Sequence, residues 1–205
     1  MPVASLTNFT VPLNNSQSAT TQGLLMPKLK YRFRATFVNF GVSTPTTELT
    51  KQVIDIKRPS VNFNPVTIDV YNSKINYAGK PTWATLTVKL RDDVTGSVSK
   101  LVGEQMQKQF DFLEQTSAAA GSNYKFTMSI EMLDGGNGGA TPNVLERWEC
   151  YGCYIQTANY NNLAYSENGA AEIDLTIQLD NAIQTNTGVT PAGSQRGTAA
   201  TASGG

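Results

Sequence analysis

The stretch "TVKLRDDVTGSVSKLVGEQMQKQFDF", Thr87–Phe112, changes its hydrophobic period once, and that change decides the fold. Its first residues alternate, so that Val88 and Leu90 share one face and charged residues lie on the other, as in a strand buried on one side. From Ser97 the apolar residues recur every three or four positions, which predicts an amphipathic helix over 97–115. The stripe consists of Val98, Leu101, Val102, Met106, Phe110 and Leu113. Because ordering each residue costs about 1–2 kcal/mol, we expect the helix to dock on strands.

Alternation with a period of two recurs on both sides of this stretch. The alternating segments are YRFRATFVNF (31–40), KQVIDIKRP (51–59), SVNFNPVTIDVYNSK (60–74), TWATLTVKLRDD (82–93), NYKFTMSIEML (123–133), WECYGCYIQ (148–156) and EIDLTIQLD (172–180). Pro65 indicates an edge strand or a bulge. The sequence therefore predicts a mainly β fold, a β-sandwich or barrel of about six to seven strands with one flanking α-helix.

The ends of the chain differ from its middle. Residues 1–27 are polar and lack a period, so we expect an extended arm. Residues 28–183 are expected to form the β-barrel domain, and residues 184–205, rich in Gly, Thr, Ala and Ser, a flexible tail. Strands with one polar face can also belong to a larger assembly, in which that face lines a shared channel, since ring closure removes sheet edges.

Composition argues against an enzyme. The 205 residues hold 16 basic and 16 acidic side chains and no histidine, so the usual general base and the commonest zinc ligand are missing. The zero net charge does not suggest a nucleic-acid binder held by bulk electrostatics. No window approaches the roughly 18 apolar residues of a membrane span, and no export signal is seen. We expect no catalytic residues, no cofactor and no metal.

The two cysteines, Cys150 and Cys153, have the C-x-x-C spacing of redox and metal sites. In a regular strand their side chains point to opposite faces, about 10 Å apart at roughly 3.3 Å per residue, which is too far for a disulfide. A bulge at Gly152 is the alternative, because it would turn one side chain over. We expect two small apolar strand residues rather than a reactive pair.

Four segments closely resemble the tail tube protein of contractile-tailed, T4-like bacteriophages. They are "YRFRATFVNFG", "ELTKQVIDIKRPSVNFNPVTIDVYNSK", the opening stretch, and "EMLDGGNGGATPNVLERWECYGCYIQTANYNNLAY". The resemblance runs from about Leu29 to Ala182. It implies a β-barrel subunit that forms hexameric rings, stacked into the inner tube of a virion tail through which the genome is ejected. The family shares this architecture with the haemolysin-coregulated protein of type VI secretion, so a tube subunit of type VI secretion or a tailocin is the alternative.

The same resemblance implies the partners. These are other copies of the chain, the tail sheath, the baseplate and the tape measure protein, with transient, non-specific passage of double-stranded DNA after assembly in the host cytoplasm. Cations on the wall would retard DNA, so Glu172, Asp174 and Asp180, on the polar face of one strand, are our candidates for the lumen. An ordinary solvated outer face is the alternative for them. By analogy with the family's long loops, the segment 41–50, with Gly41, Thr44, Pro45 and Glu48, is our candidate for the contact between rings.

Overall fold

The computed structural model describes residues 27–43, 45–134 and 142–186 of the chain. The expected arm up to residue 26, Thr44 and the tail from residue 187 lie outside these described residues. The elements in chain order are β1 (Phe33–Val38), α1 (Thr47–Gln52), β2 (Val53–Ile56), β3 (Val61–Val70), β4 (Ser73–Trp83), β5 (Leu86–Arg91), α2 (Ser97–Gln109), β6 (Phe110–Asp111), β7 (Thr116–Ser117), β8 (Phe126–Leu133), β9 (Val144–Asn159), β10 (Glu172–Gln178) and β11 (Asn181–Asn186).

Seven strands form one antiparallel sheet in the order β1-β8-β9-β10-β5-β2, with β11 pairing β9 as well. Strands β3 and β4 pair only with each other among the described strands. The long β9 takes part in both halves of the sheet, with β8 and β11 along its first part and β10 along its last. The described strands do not close into a barrel, and the mainly β fold with a flanking helix is confirmed.

The core lies between the inner face of this sheet and helix α2. Alternate residues of β5 and β10 are buried, as the period of two predicted, and Leu90 and Ile177 are fully enclosed. The rings of Phe37, Phe40 and Phe126 meet edge to face, with 4.8 Å between the centroids of Phe40 and Phe126. None of the described helices is long and apolar enough to cross a membrane.

Helix α2 is shorter than its hydrophobic stripe predicted. It ends at Gln109, and Phe110 already has extended backbone angles. The Asp111 carboxylate accepts hydrogen bonds from the backbone N–H groups of Leu113 and Glu114, which holds a turn where the next helical turn was expected. The predicted helical position Leu113 is therefore 85% exposed and does not reach the core.

Other elements also differ from the sequence prediction, among them β4, α1 and β11. The chain forms a separate strand β4 between β3 and β5, so Ala84 lies in the break between two strands rather than inside one. Part of the predicted loop 41–50 is helical, as α1. Strand β11 was not predicted, because its sequence lacks clear alternation, and it runs beyond residue 183 as an added partner of β9.

Candidate assembly surfaces

The β3–β4 hairpin is exposed along nearly its whole length. Every residue of β3 is exposed, and in β4 only Gly79 and Trp83 are partly covered. A two-stranded hairpin of this kind is marginally stable in water unless its apolar face is covered. The sequence signal for it was present, since alternation continues on both sides of the turn at Tyr71 and Asn72, but "INYAGKP" (75–81) was not assigned to a strand.

The two faces of the hairpin differ in chemistry. One face holds the cross-strand pairs Val66–Tyr77 and Ile68–Ile75, each of these side chains 43–54% exposed. The other holds Thr67 with Asn76, joined by a hydrogen bond of 2.8 Å, and Asp69 with Lys74, an ion pair of 3.4 Å. A solvent-exposed apolar strand face is typical of a protein–protein contact site.

The outer face of β5 and β10 is polar and has balanced charge. The Lys89 ammonium lies 3.0 Å from the Glu172 carboxylate and 3.8 Å from that of Asp174, the residue directly opposite it. The hydrogen bond that Lys89 donates to Glu172, and then the charge of Asp174, raise the pKa of Lys89. Two of the three lumen candidates, Glu172 and Asp174, therefore both pair with Lys89, and together they neutralise its charge.

Asp180 lies apart from the other two lumen candidates. Its carboxylate accepts a hydrogen bond of 2.6 Å from Lys125, which raises the pKa of that lysine, and its backbone N–H donates to the carbonyl of Tyr151. The side chain packs against Gly152. The structure thus ties Asp180 to the bend of β9 rather than to the row of Glu172 and Asp174.

The segment proposed for the contact between rings is anchored on helix α2. The backbone N–H of buried Gly41 donates to Gln105, while Pro45 is exposed and Glu48 pairs with Lys51. The Glu104 carboxylate accepts from the Ser43 hydroxyl and from the backbone N–H groups of Ser43 and Val42. These hydrogen bonds, chiefly that of the Ser43 hydroxyl, lower the pKa of Glu104 to about 2.

Gln105 is a fully buried polar residue on the core face of α2. Its amide oxygen accepts from the N–H of Gly41 at 2.9 Å and its amide nitrogen donates to the carbonyl of Tyr124 at 2.6 Å. This side chain joins the loop after β1 to the entry of β8 across the helix. Sequence reasoning passed over it because a glutamine within an apolar stripe carries no signal of burial.

The half of the sheet formed by β1, β8 and β9 contains one buried carboxylate that pairs with both neighbouring strands, that of Glu131. Glu131 on β8 stands directly between Arg34 on β1 and Arg147 on β9, and each guanidinium contacts one of its oxygens through two nitrogens at 2.6–2.8 Å. Arg34 is thus an ion-pair residue, whereas Arg32 donates to the carbonyl of Asp134. Hydrogen bonds between charged groups are roughly twice as strong as neutral ones, so these contacts favour the observed register of the three strands.

The cysteine pair lies in the core because β9 bulges at Gly152. Gly152 has a φ of +65°, and the register slips so that Met128 faces Cys150 while Phe126 faces Cys153. Both thiols are free and fully buried on one side of the sheet, so the regular-strand expectation of opposite faces was wrong and the bulge alternative is confirmed. Burial raises the pKa of each thiol to about 12. No group of three or more potential metal ligands occurs among the described residues.

Comparison with known proteins gives a fold but no sequence family. No family model matches the chain, and no curated protein matches its sequence. Among solved structures, a chain of the anti-feeding prophage cap, which terminates the tube, superposes with a TM-score of 0.59 and 14% identity over 83% of this chain and 99% of that one. A chain of the extended sheath–tube complex of an extracellular contractile injection system gives a TM-score of 0.55 at 12% identity, covering 78% and 92%. The tail tube of SPP1 gives 0.51 at 12% identity, covering 78% and 80%.

The chain therefore has the tail tube fold, which is shared by phage tails and contractile injection systems. On this fold the described residues form an exposed apolar hairpin face, a polar sheet face on which Lys89 pairs with Glu172, and a buried pair of free cysteines.

Proposed function

We propose that this protein is a structural subunit of the inner tail tube of a contractile bacteriophage tail. Copies assemble in the host cytoplasm into hexameric rings, and the rings stack into the conduit for genome ejection. The observation that carries the proposal is the amphipathic β3–β4 hairpin on a tail tube fold. Its apolar face is exposed among the described residues, and in the proposed ring a neighbouring copy covers it.

The polar face of β5 and β10 is the proposed wall of the channel, with Glu172 and Asp174 toward the lumen. Lys89 is held by both carboxylates, so it is not free to bind a phosphate. Each phosphate contact adds steeply to DNA affinity, so holding Lys89 in ion pairs weakens the attraction of this wall for DNA, while Arg91, exposed on the same face, lies opposite Glu172. Asp180, beside Lys125, is the third proposed lumen residue.

The partners follow from this role. The sheath and baseplate would surround and terminate the tube, and the tape measure protein and then double-stranded DNA would pass through it. The loop with Gly41, Thr44, Pro45 and Glu48 is proposed to touch the next ring. A tube subunit of a type VI or tailocin-like injector is the second candidate, because the same fold occurs in an extracellular contractile injection system.

Electron microscopy of the purified full chain tests the assembly. We expect rings or hollow tubes from the parent protein and from Thr67→Asp, which changes the polar hairpin face. The matched substitution Ile68→Asp, one residue further along the same strand, places a charge on the apolar face and should leave folded, unassembled subunits. Monomers from the parent protein under all assembly conditions, together with its absence from tail particles, would overturn the proposal.

The lumen assignment has its own test in phage particles. Replacing Glu172 and Asp174 together by Lys should leave tube assembly intact but slow genome ejection, because two new cations would join Lys89 and Arg91 on the wall and Lys89 would lose both of its carboxylate partners. Unchanged ejection kinetics would place these residues away from DNA.

A gene neighbourhood with capsid and packaging genes would favour the phage tail over a stand-alone injector.

A further inference from the structure

Basic residues gather at the end of the domain from which the hairpin projects. The pairing of β1, β8 and β9 brings segments 28–34, 131–134 and 144–147 together, and Arg58 joins them through Glu146, at 3.7 Å. With 57–58, these segments hold seven basic residues and three carboxylates. We call this set the basic end; its cations are Lys28, Lys30, Arg32, Arg34, Lys57, Arg58 and Arg147.

Two acidic loops lie at the opposite end. They are the turn 92–96 after β5 and the loop 160–171 before β10, joined by a hydrogen bond from the Asp92 N–H to the Ala171 carbonyl. They carry Asp92, Asp93 and Glu167 and contain no lysine or arginine. The adjoining Arg91 lies opposite Glu172 in the pairing of β5 with β10. We call this set the acidic end.

Strand β5 separates the two ends. Lys57 donates its backbone N–H to Thr87 at the start of β5, whereas Asp92 follows its last residue. Thr87 and Asp92 are five residues apart, and at roughly 3.3 Å per residue they lie about 16 Å apart along the strand. That distance exceeds the Debye length of about 8 Å at physiological salt, so the ends do not neutralise each other and each acts as a separate charged surface.

The acidic end also exposes apolar side chains. Leu163 is 87% exposed, and Val94 and Tyr165 are fully exposed. The hairpin that projects from the basic end offers the uncovered face of Val66, Ile68, Ile75 and Tyr77. The two ends are therefore complementary both in charge and in their apolar surface.

We propose that these two ends bind each other between successive rings, so that the basic end of one copy sits on the acidic loops of the next. The inference rests on the proposed tube function and adds to it the electrostatic basis of tube polarity. A head-to-tail contact pairs opposite charges at every step, whereas a symmetric contact of like ends would oppose like charges. In a hexameric ring the same contact recurs around the ring.

Two charge reversals on the full chain test this inference. Glu167→Lys reverses one charge at the acidic end and Lys30→Glu one at the basic end; both side chains are exposed, and circular dichroism checks that each variant folds. Each variant alone should elongate roughly tenfold more slowly or worse, as measured by light scattering and tube lengths in micrographs. Mixed in equal amounts, the two should elongate again, because rings of one type alternate with rings of the other. Parent tubes should elongate more slowly as salt rises.

Glu114→Lys is the control, since it makes the same charge change at an exposed residue of neither end and should elongate as the parent does. If the parent protein forms tubes but both reversals elongate normally, or if the mixture gains nothing, the electrostatic contact is wrong while the tube function stands. If the parent forms neither rings nor tubes, the proposed function itself fails.

Discussion

Asp180 lies directly over Gly152, and its carboxylate occupies the space that any side chain at residue 152 would need. A Cβ atom built on Gly152 overlaps the Asp180 carboxylate and comes within 2.9 Å of its Cβ atom. The bulge that brings both cysteines into the core and the ion pair of Asp180 with Lys125 therefore depend on one glycine.

Gly152→Ala should lower the free energy of unfolding by at least about 1–3 kcal/mol, because alanine is strained at a φ of +65° and must also displace Asp180. Urea denaturation measures the change. Gly152→Ala combined with Asp180→Ala should recover only the part due to the overlap. The control is Gly103→Ala in helix α2, where a Cβ meets nothing within 4 Å, and it should stabilise the protein by up to about 1 kcal/mol. Equal effects at the two glycines would contradict the role given to Gly152.

Gln105→Leu should destabilise the protein although leucine suits a buried helical face. The substitution removes the side-chain partners of the Gly41 N–H and the Tyr124 carbonyl, and each buried group left unsatisfied costs about 1–3 kcal/mol. Thermal and urea unfolding of the variant measure the loss. Gln107→Leu, two residues along and exposed, should change stability by no more than about 0.5 kcal/mol. A Gln105→Leu protein more stable than the parent would show that the two hydrogen bonds of the Gln105 side chain are not needed for stability.

Glu104 should make the protein sensitive to acid. Its pKa is lowered to about 2 in the folded state by Ser43 and the neighbouring N–H groups, so the carboxylate favours folding at every pH above its ordinary value near 4.5. That contribution falls as pH drops from 4.5 through about 2, where the folded carboxylate is itself protonated. The parent protein should therefore exceed Glu104→Gln in stability at pH 7, and the difference should shrink toward pH 2. A difference that stays constant over this range would exclude the charged carboxylate as its cause.

Both cysteines should resist thiol reagents in the native protein. Burial raises each pKa to about 12, and each thiol is fully enclosed, so little thiolate forms and no reagent reaches it. Labelling with an aromatic disulfide reagent at pH 8 should be negligible before unfolding and reach both thiols in denaturant. Glu114→Cys supplies an exposed thiol that should react at once under the same conditions. Rapid labelling of the native parent chain would revive a redox role for the pair.

Sequence periodicity predicted most strands of the core sheet, though not β11, and which of their faces is buried. In β5 and β10 the alternation of side chains is a property of the extended backbone, so it could be read without tertiary contacts. The start of α2 was predicted correctly because the helical period of three to four residues is likewise a property of the local backbone. Its end was not, because the turn after Phe110 depends on hydrogen bonds to the Asp111 side chain, a local competition that the apolar stripe does not register.

What only the tertiary structure decided is how distant segments meet. The sequence by itself determined a mainly β fold with one docked helix, the absence of histidine, and a resemblance to tail tube proteins. Which carboxylate meets which cation was decided by strand register: Glu131 between Arg34 and Arg147, Lys89 between Glu172 and Asp174, Asp180 against Lys125 and Gly152. The position of a charged residue in the sequence does not reveal which residue it will face in the folded protein. The separation of a basic from an acidic end likewise arises because antiparallel pairing places residues far apart in sequence at the same end of the sheet.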